Sequence, residues 1–355
     1  MQIFVQPLQR TLNVAVGTNL LEALRANDVP VSYSCLAGRC GTCRCKVIEG
    51  KVSEQGRELR PPSSLGDPYV LACQTFLTES CTIEIDEPDE VITHLAKIVK
   101  SVVIALDDQT HDIKRLRLKL AKPIEFSPGQ YVQLQFGPEL IRPYSMAGLS
   151  SDDTMEFHVR LVAGGRITNY IANELKIGDA VRVSGPMGSA YLRVKHSGPM
   201  VCVAGGTGLA PVLSILRGAI SKGMQNRIEL YFGVRSARDI YGLQSLAVLE
   251  HQHPQLRVHI VIASGQIRGH TSDNVTDHIR DHMRDHEKGQ VASQVAGYRS
   301  GLVTEAIAED FSTLDGFRAY LCGAPPMVEA ASLLVRQLGV LPEQIYADAF
   351  YASGT

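Results

Sequence analysis

The sequence predicts a three-part chain: a small mixed unit over residues 1–90, an antiparallel β-barrel over 95–196 and a parallel α/β unit over 198–355. Three observations predict it. Four of the eight cysteines crowd into the stretch CLAGRCGTCRC, residues 35–45, which marks the first unit as a cysteine-loop domain. The middle of the chain is strand after strand, parted by glycine and proline turns. The last part alternates apolar strands, glycine turns and helical runs. A length of 355 residues suits two or three domains, and 45% hydrophobic with 20% charged residues is ordinary for a soluble protein. A net charge of −2 gives no bulk attraction to nucleic acid or an anionic membrane. Apolar runs such as Val102–Leu106 fall far short of a membrane span. The opening MQIFVQPLQR has no basic stretch leading into an apolar one, so a secretory signal is not expected. A cytoplasmic location is the expectation, and there thiols stay reduced and clustered cysteines point to metal or redox chemistry.

In the first unit Ile3 and Val5, then Leu12, Val14 and Val16, alternate as a hairpin, and Thr18 is expected to cap a short helix over Asn19–Asn27. Cys35, Cys40 and Cys43 follow C-x4-C-x2-C, the plant-type [2Fe–2S] spacing, which needs a distant fourth cysteine. Cys73, in VLACQ, supplies it. Gly38 and Gly41 let the backbone curl closely and turn N–H groups toward sulfur. Zinc is the alternative, but it usually takes paired short knuckles, and only one x2 pair exists here. Cys45 alternates with Val47 on an outgoing strand and reads as a small buried hydrophobe, the default also for Cys81, Cys202 and Cys322. The acidic EIDEPDE, residues 84–90, reads as a linker.

In the middle unit the alternating sets are Val103/Ala105, Leu116/Leu118/Leu120, Val132/Leu134/Phe136 and Phe157/Val159/Leu161, with turns at SPGQ (127–130) and KIGD (176–179). Two motifs stand out. In RPYSMA, Arg142 and Tyr144 share one strand face and Ser145 follows. The arginine suits a phosphate, the tyrosine a flat ring and the serine a polar edge. A barrel-lining tyrosine beside a surface arginine would give the same pattern. In GGRITNYI, glycines lead into a helix carrying Thr168, a phosphate-binding arrangement that an ordinary helix cap would also produce.

In the last unit MVCVAGGTGLAP runs an apolar strand into Gly205, Gly206, Thr207 and Gly208, with Pro211 in the first helical turn. It lacks the strict G-x-G-x-x-G, yet glycines before a helix let backbone approach a pyrophosphate. Further strands start at Ile228, Val258 and Arg318, and function is expected at their carboxyl ends: Gly205–Gly208, GVRSARD (233–239) and CGAPPM (322–327). There Arg235, Ser236 and Arg238 suit a 2′-phosphate, and Asp239 a 2′-hydroxyl. DHIRDHMRDHEK, residues 277–288, sets His278, His282 and His286 four apart. A solvated helix laced by Asp277–Arg280, Asp281–Arg284 and Asp285–Lys288 pairs is favoured over a metal ladder.

In this order, the three units resemble reductase components of bacterial aromatic-ring oxygenases, most closely the naphthalene dioxygenase reductase group. SYSCLAGRCGTCRC, YVLACQ, FSPGQY, RPYSMAG, GPMGSAYLR, GGTGLAPVLSI, YFGVRS, YLCGAP and IYADAFY carry the resemblance, which spans nearly the whole chain. It implies a β-grasp [2Fe–2S] ferredoxin domain, an antiparallel β-barrel FAD domain and a Rossmann-like NAD(P) domain. It also implies that Cys35, Cys40, Cys43 and Cys73 hold the cluster. Arg142, Tyr144 and Ser145 would hold the flavin and its phosphates, with His158, Val159 and Arg160 on the neighbouring strand and Gly165 and Thr168 at the pyrophosphate. Gly205, Gly206, Thr207 and Gly208 would take the dinucleotide, Cys322 and Gly323 would lie near the nicotinamide, and Phe350 by the flavin ring, with Tyr351 its competitor. Ser145, Cys322 and Phe350 are thereby the residues expected at the reaction centre. The charged stretch at about 266–296 looks like an elaboration on the family pattern. The implied route is NAD(P)H to FAD to cluster, then to a Rieske-type ferredoxin or directly to a terminal oxygenase, because only a flavin links a hydride donor to a one-electron cluster. NADH is the expected donor, with NADPH used to some extent. The alternatives are a reductase serving a di-iron or other monooxygenase, and a redox sensor without turnover.

Overall fold

The computed structural model describes residues 1–31, 33, 43–54, 56–59, 69–85, 94–263 and 298–350. The first unit contains β1 (Gln2–Gln6), β2 (Arg10–Asn13), α1 (Leu20–Ala26), β3 (Arg44–Glu49), β4 (Val52–Glu54), β5 (Arg57–Leu59), β6 (Tyr69–Leu71), β7 (Thr75–Leu77) and β8 (Cys81–Glu84). Five strands pair in the order β2-β1-β8-β3-β6, with β1 and β8 parallel, and β5-β4-β7 form a small second sheet. Alternation sends Ile3, Val5, Val47 and Ile83 inward, and α1 covers them with Leu20, Leu21, Ala23 and Leu24. Cys45 is buried beside Val47 in this core. The helix cap falls one residue later than expected. Asn19 Oδ1 accepts the Glu22 N–H at 3.2 Å, while the Thr18 hydroxyl turns back to the Ala15 carbonyl at 2.8 Å. Thr18 is already committed to strand pairing, since its carbonyl accepts the Leu77 N–H.

The second unit has β9 (Lys97–Asp108), β10 (Ile113–Leu120), β11 (Tyr131–Gly137), β12 (Leu140–Ser145), β13 (Met155–Arg160), α2 (Arg166–Asn173) and β14 (Ala180–Met187). The sheet runs β12-β11-β14-β9-β10-β13, and every neighbour is antiparallel. Its two edges meet. Met146 bridges Phe157, and the Ala147 N–H donates to the Glu156 carbonyl at 2.9 Å, which closes the barrel. Closure brings RPYS and HVR, separate in sequence, side by side at the seam. Val103, Leu116, Leu118, Val132, Leu134, Phe157, Val159, Val181 and Val183 fill the interior.

The third unit has β15 (Met200–Gly205), α3 (Leu209–Ser221), β16 (Ile228–Val234), α4 (Leu243–Gln252), β17 (Leu256–Ile262), β18 (Tyr298–Ser300), α5 (Val303–Asp310), β19 (Arg318–Gly323), α6 (Pro325–Gln337) and β20 (Ile345–Ala349). Its six strands are all parallel, in the order β18-β17-β16-β15-β19-β20. Both faces are covered, so the strands read as continuous apolar runs. Cys202, Ala204, Leu230 and Phe232 pack on one side, and Val201, Val203, Tyr231 and Leu321 on the other. The chain winds outward from β15 in both directions, the topology that in open α/β sheets places a ligand crevice outside the carboxyl ends of the strands, here those of β15 and β19. The histidine-rich repeat at 277–288 lies outside the described residues. Among those described, no helix is long and apolar enough to cross a membrane.

The second and third units are locked together beside that crevice. Arg217 on α3 grips Asp152 with two bonds, at 2.7 and 2.8 Å, and the Ser214 hydroxyl donates to the Gly148 carbonyl at 2.6 Å. Ile113 and Leu192 from the barrel side enter the core of the third unit.

A Cβ on Gly208 would overlap the Cys322 carbonyl and approach the Gly323 nitrogen at 2.9 Å. Both obstacles are backbone of β19, so relief requires the turn that carries Gly208 to move away from that strand. Gly208→Ala is expected to lower stability by about 1–3 kcal/mol, the usual cost of overpacking. Denaturant unfolding checks it; an unchanged midpoint would show that the turn relaxes freely.

Candidate functional site

The crevice is walled by glycines for steric reasons. Gly205, Gly206 and Gly208 carry the chain from β15 into α3, with Thr207 between them in a single turn of 3₁₀ helix. Gly206 has φ +54 and Gly323 has φ +146, backbone that L side chains rarely adopt. A Cβ on Gly205 would meet Met327 Sδ at 2.6 Å. The result is a closely packed backbone turn leading into a 13-residue helix, and a helix start is where N–H groups favour an anion. Cys322 is fully buried on β19, and burial drives its thiol well above the ordinary range, so it packs as a neutral group at the crevice floor. Phe350, just past β20, is tied back by its N–H to the Gly323 carbonyl at 2.8 Å.

Across the crevice lies the barrel strand β12. Ser145 is buried, and its hydroxyl donates to Asp348 Oδ2 at 3.0 Å. Asp348 sits on β20 in register with Cys322, so one hydrogen bond joins the RPYS strand to the end of the parallel sheet. Burial pushes the Asp348 carboxyl up to about 6, although the Ser145 hydroxyl works the other way. Tyr144 stands edge-on to Phe136 and Phe157, with ring centroids 6.4 and 6.5 Å away. Its hydroxyl is buried and, among the described residues, unpartnered. Burial raises it to about 12. An orphaned buried hydroxyl beside Arg142 fits a polar ligand that supplies the missing acceptor.

The second seam strand behaves differently from its expected role. Val159 is fully buried in the barrel interior, which leaves only its backbone for a ligand. His158 is also buried. Its Nδ1 is 3.0 Å from the Tyr241 hydroxyl and its Nε2 3.4 Å from Glu156, and Tyr241 donates to the Gly206 carbonyl at 3.2 Å. The imidazole therefore braces the glycine turn from the barrel side. Arg160 points to the same turn: a Cβ on Gly206 would come within 2.8 Å of its Nη1. The Thr168 hydroxyl is engaged inside its own loop, by the Val162 N–H and by the Val162 and Gly165 carbonyls. It shapes the turn at Gly165, the N-cap of α2, and leaves the first N–H groups of that helix as the polar surface there.

At the end of β16, Asp239 is also turned inward. Its side chain is 5% exposed, accepts from the Ser236 N–H and hydroxyl at 2.8 and 2.7 Å, and faces Arg235 at 3.3 Å. Ser236 and Asp239 thus form a reciprocal cap on a 3₁₀ turn, and Arg235 and Arg238 remain exposed. The sequence reading did not single out Asp348, Tyr241 or Asp112. Asp348 carried a signal, as an acid within an apolar strand run; the other two gain meaning only from contacts between units.

In the first unit the backbone brings two expected ligands together. The Cys73 N–H points at Cys43 Sγ at 3.5 Å, and the Ala72 N–H donates to the Cys43 carbonyl at 2.9 Å. Gln74 Nε2 lies 3.8 Å from Cys73 Sγ, and Asn19 holds the Cys73 carbonyl at 3.1 Å. N–H groups aimed at sulfur favour thiolates and fit an iron–sulfur cluster. Cys35 and Cys40 lie outside the described residues.

Three family models match successive parts of the chain. Residues 3–78 match the 2Fe-2S iron-sulfur cluster binding domain, 100–191 the oxidoreductase FAD-binding domain and 202–297 the oxidoreductase NAD-binding domain. The chain is 54% identical to the ferredoxin–NAD(P)(+) reductase component of the naphthalene 1,2-dioxygenase/salicylate 5-hydroxylase systems of a Ralstonia species. It is 52% identical to the corresponding component of the Pseudomonas putida naphthalene 1,2-dioxygenase system. Both alignments cover 100% of each chain. Among solved structures, a cytochrome P450 reductase of Amycolatopsis superposes with a TM-score of 0.65 at 30% identity, over 98% of each chain. The chain belongs to the family of ferredoxin–NAD(P)+ reductase components, oxidoreductases that combine a [2Fe–2S] domain with an FAD-binding and an NAD-binding domain.

Proposed function

We propose that this chain takes hydride from NAD(P)H and delivers electrons singly through its [2Fe–2S] domain to a Rieske-type ferredoxin, or directly to the terminal oxygenase, of a cytoplasmic aromatic-ring-hydroxylating dioxygenase system. The observation that carries this reading is the Ser145–Asp348 hydrogen bond, which joins the RPYS strand to the mouth of the glycine-walled crevice. When bound, FAD accepts two electrons as hydride and releases them one at a time.

The residues have distinct tasks, with the units taken as 1–90, 95–196 and 198–355. Arg142 and the unpartnered Tyr144 hydroxyl hold the flavin's polar chain, and the N-terminus of α2 after Gly165 receives its pyrophosphate. Gly205–Gly208 receive the nicotinamide nucleotide. Cys322 and Gly323 would lie near the nicotinamide, and Phe350 would lie by the flavin ring. Ser145 offers a hydroxyl at the redox centre, and Asp348, poised near neutrality, holds or gives up the accompanying proton through it. Cys43 and Cys73, with Cys35 and Cys40, hold the cluster. NADH is the preferred donor and NADPH a usable one.

Cys73→Ser is expected to abolish the cluster absorbance and reduction of an external ferredoxin, while NADH still bleaches the flavin. Loss of flavin reduction as well would contradict separate tasks for the units. Steady-state NADH oxidation with a dye acceptor distinguishes the reductase from a sensor without turnover; no turnover with either nucleotide would sink the enzyme reading.

Ser145→Ala should slow flavin reduction by about 10², the lower end for losing one hydrogen-bond donor aimed at developing charge, with the nucleotide KM little changed. Asp348→Asn should remove a titration near pH 6 from the rate. Its effect on stability has a definite sign. The folded carboxyl is raised, so the folded protein holds a proton that the unfolded chain releases between about pH 4 and 6. The buried charge therefore costs stability above that window. Asp348→Asn should be more stable than the parent at pH 8, by a margin that shrinks at pH 5. Parallel denaturation curves at the two pH values check this.

A further inference from the structure

The loop between β9 and β10 inserts Asp112 into the mouth of the nucleotide crevice, although it belongs to the barrel. Its Oδ2 receives Arg160 Nε at 3.0 Å and Arg235 Nη2 at 2.8 Å. Arg235, in turn, stands at the carboxyl end of β16, the second strand of the parallel sheet, and also faces Asp239 at 3.3 Å. Arg160 reaches Asp239 at 4.0 Å, and His111 lies 4.0 and 3.8 Å from the two acids. His111, Asp112 and Asp239 come close enough together to hold a cation, but two guanidiniums already meet these carboxylates. The arrangement is an ion-pair lattice between two units.

Asp112 is well fixed for this position. Its side chain is only 16% exposed, its Oδ1 accepts the Thr110 hydroxyl at 3.1 Å, and its own carbonyl accepts the Leu161 N–H at 2.7 Å. Burial works against its charge, but the Arg160 hydrogen bond and charge outweigh it and hold the carboxyl below the usual range. Arg235 is 64% exposed, so its other face is open to a ligand.

In a doubly wound sheet the end of the second strand reads the adenosine ribose, and an arginine there accommodates a 2′-phosphate. Arg235 has that place, but a carboxylate from the neighbouring unit has already claimed it. Within the lattice two arginines and two aspartates sum to no net charge, so Arg235 and Arg160 offer little to a phosphate carrying almost two negative charges, and the exposed Arg238 on the same turn stands outside that balance. We propose that Asp112 is a specificity-determining residue for the nucleotide. By pairing with Arg235 and Arg160 from the flavin side, it makes NADPH a poorer donor than NADH. This rests on the nucleotide site proposed above. The mechanism is repulsion and competition against the wrong ligand, with no new contact to the right one.

The test is steady-state kinetics of the fully loaded reductase with NADH and NADPH, using a dye acceptor. Asp112→Asn keeps the side-chain shape and removes the charge. The ratio of kcat/KM for NADPH to that for NADH should rise about tenfold, the value of one charge-assisted hydrogen bond released to the phosphate. Asp112→Glu should keep the parent ratio. Flavin and cluster absorbance establish that each variant is loaded. Arg235→Ala separates the two levels of argument. If it weakens NADPH use while Asp112→Asn leaves the ratio unmoved, Asp112 has no part in selection and the inference falls alone. If Arg235→Ala changes KM for neither nucleotide, the strand end is not a nucleotide site, and the proposed site falls with the inference.

Discussion

Where β15 turns into α3, the backbone of the turn approaches β19 so closely that only hydrogen fits between them. Gly208 rests against the Cys322 carbonyl, and Gly323 takes a φ of +146 to pass Gly205. Strand order reverses at this place, so the connections from the two strands leave to opposite faces of the sheet, the topology at which α/β sheets bind ligands. A side chain at Gly208 would hold the turn away from β19, and one at Gly206 would strike Arg160. The bare backbone is thus both a packing solution and the polar surface that a phosphate needs. The other contacts of the site are arranged around this turn. His158 and Tyr241 brace it, Ser145 and Asp348 close its flank, and Asp112 and Arg235 stand at its mouth.

The flavin-side barrel and the nucleotide-side sheet touch through polar groups as much as apolar ones. Arg217–Asp152 and Ser214–Gly148 fix the approach of α3, and Ile113 and Leu192 bury apolar surface across the boundary. A hydride donor and acceptor must sit within a few tenths of an ångström of the productive separation. Directional bonds at short range supply that precision, while apolar packing supplies most of the adhesion. The Asp348 carboxyl shows the same division. Its burial costs stability when charged, yet it places a titratable group within one hydrogen bond of Ser145.

Buried thiols and ligand thiols differ by what surrounds them. Cys81 and Cys202 lie among apolar side chains, and burial pushes them up to about 11 and about 12, so they stay protonated. Cys43 instead meets the Cys73 N–H. Cys45 follows Cys43 by two residues but packs beside Val47 in the core of the first unit. Both thiols are buried in that core, and the Cys73 N–H is aimed at Cys43, which lies just before strand β3 begins at Arg44.

The order of the three units, the alternating barrel strands, the parallel sheet and the glycine turn were all legible in the sequence, because each depends on local periodicity or on the backbone freedom of single residues. So were the cysteine spacing and the RPYS face, which are short-range patterns. The tertiary structure alone decided which polar groups remain available. Asp239 and Thr168 have the right chemistry for a ligand, but both are engaged by neighbours within six residues. His158 is engaged by Tyr241, 83 residues away. Asp112 and Asp348 acquire their roles from arginine and serine residues 123 and 203 positions distant. A hydrogen-bonding group has limited valence, and whether that valence is already filled is a property of the folded chain.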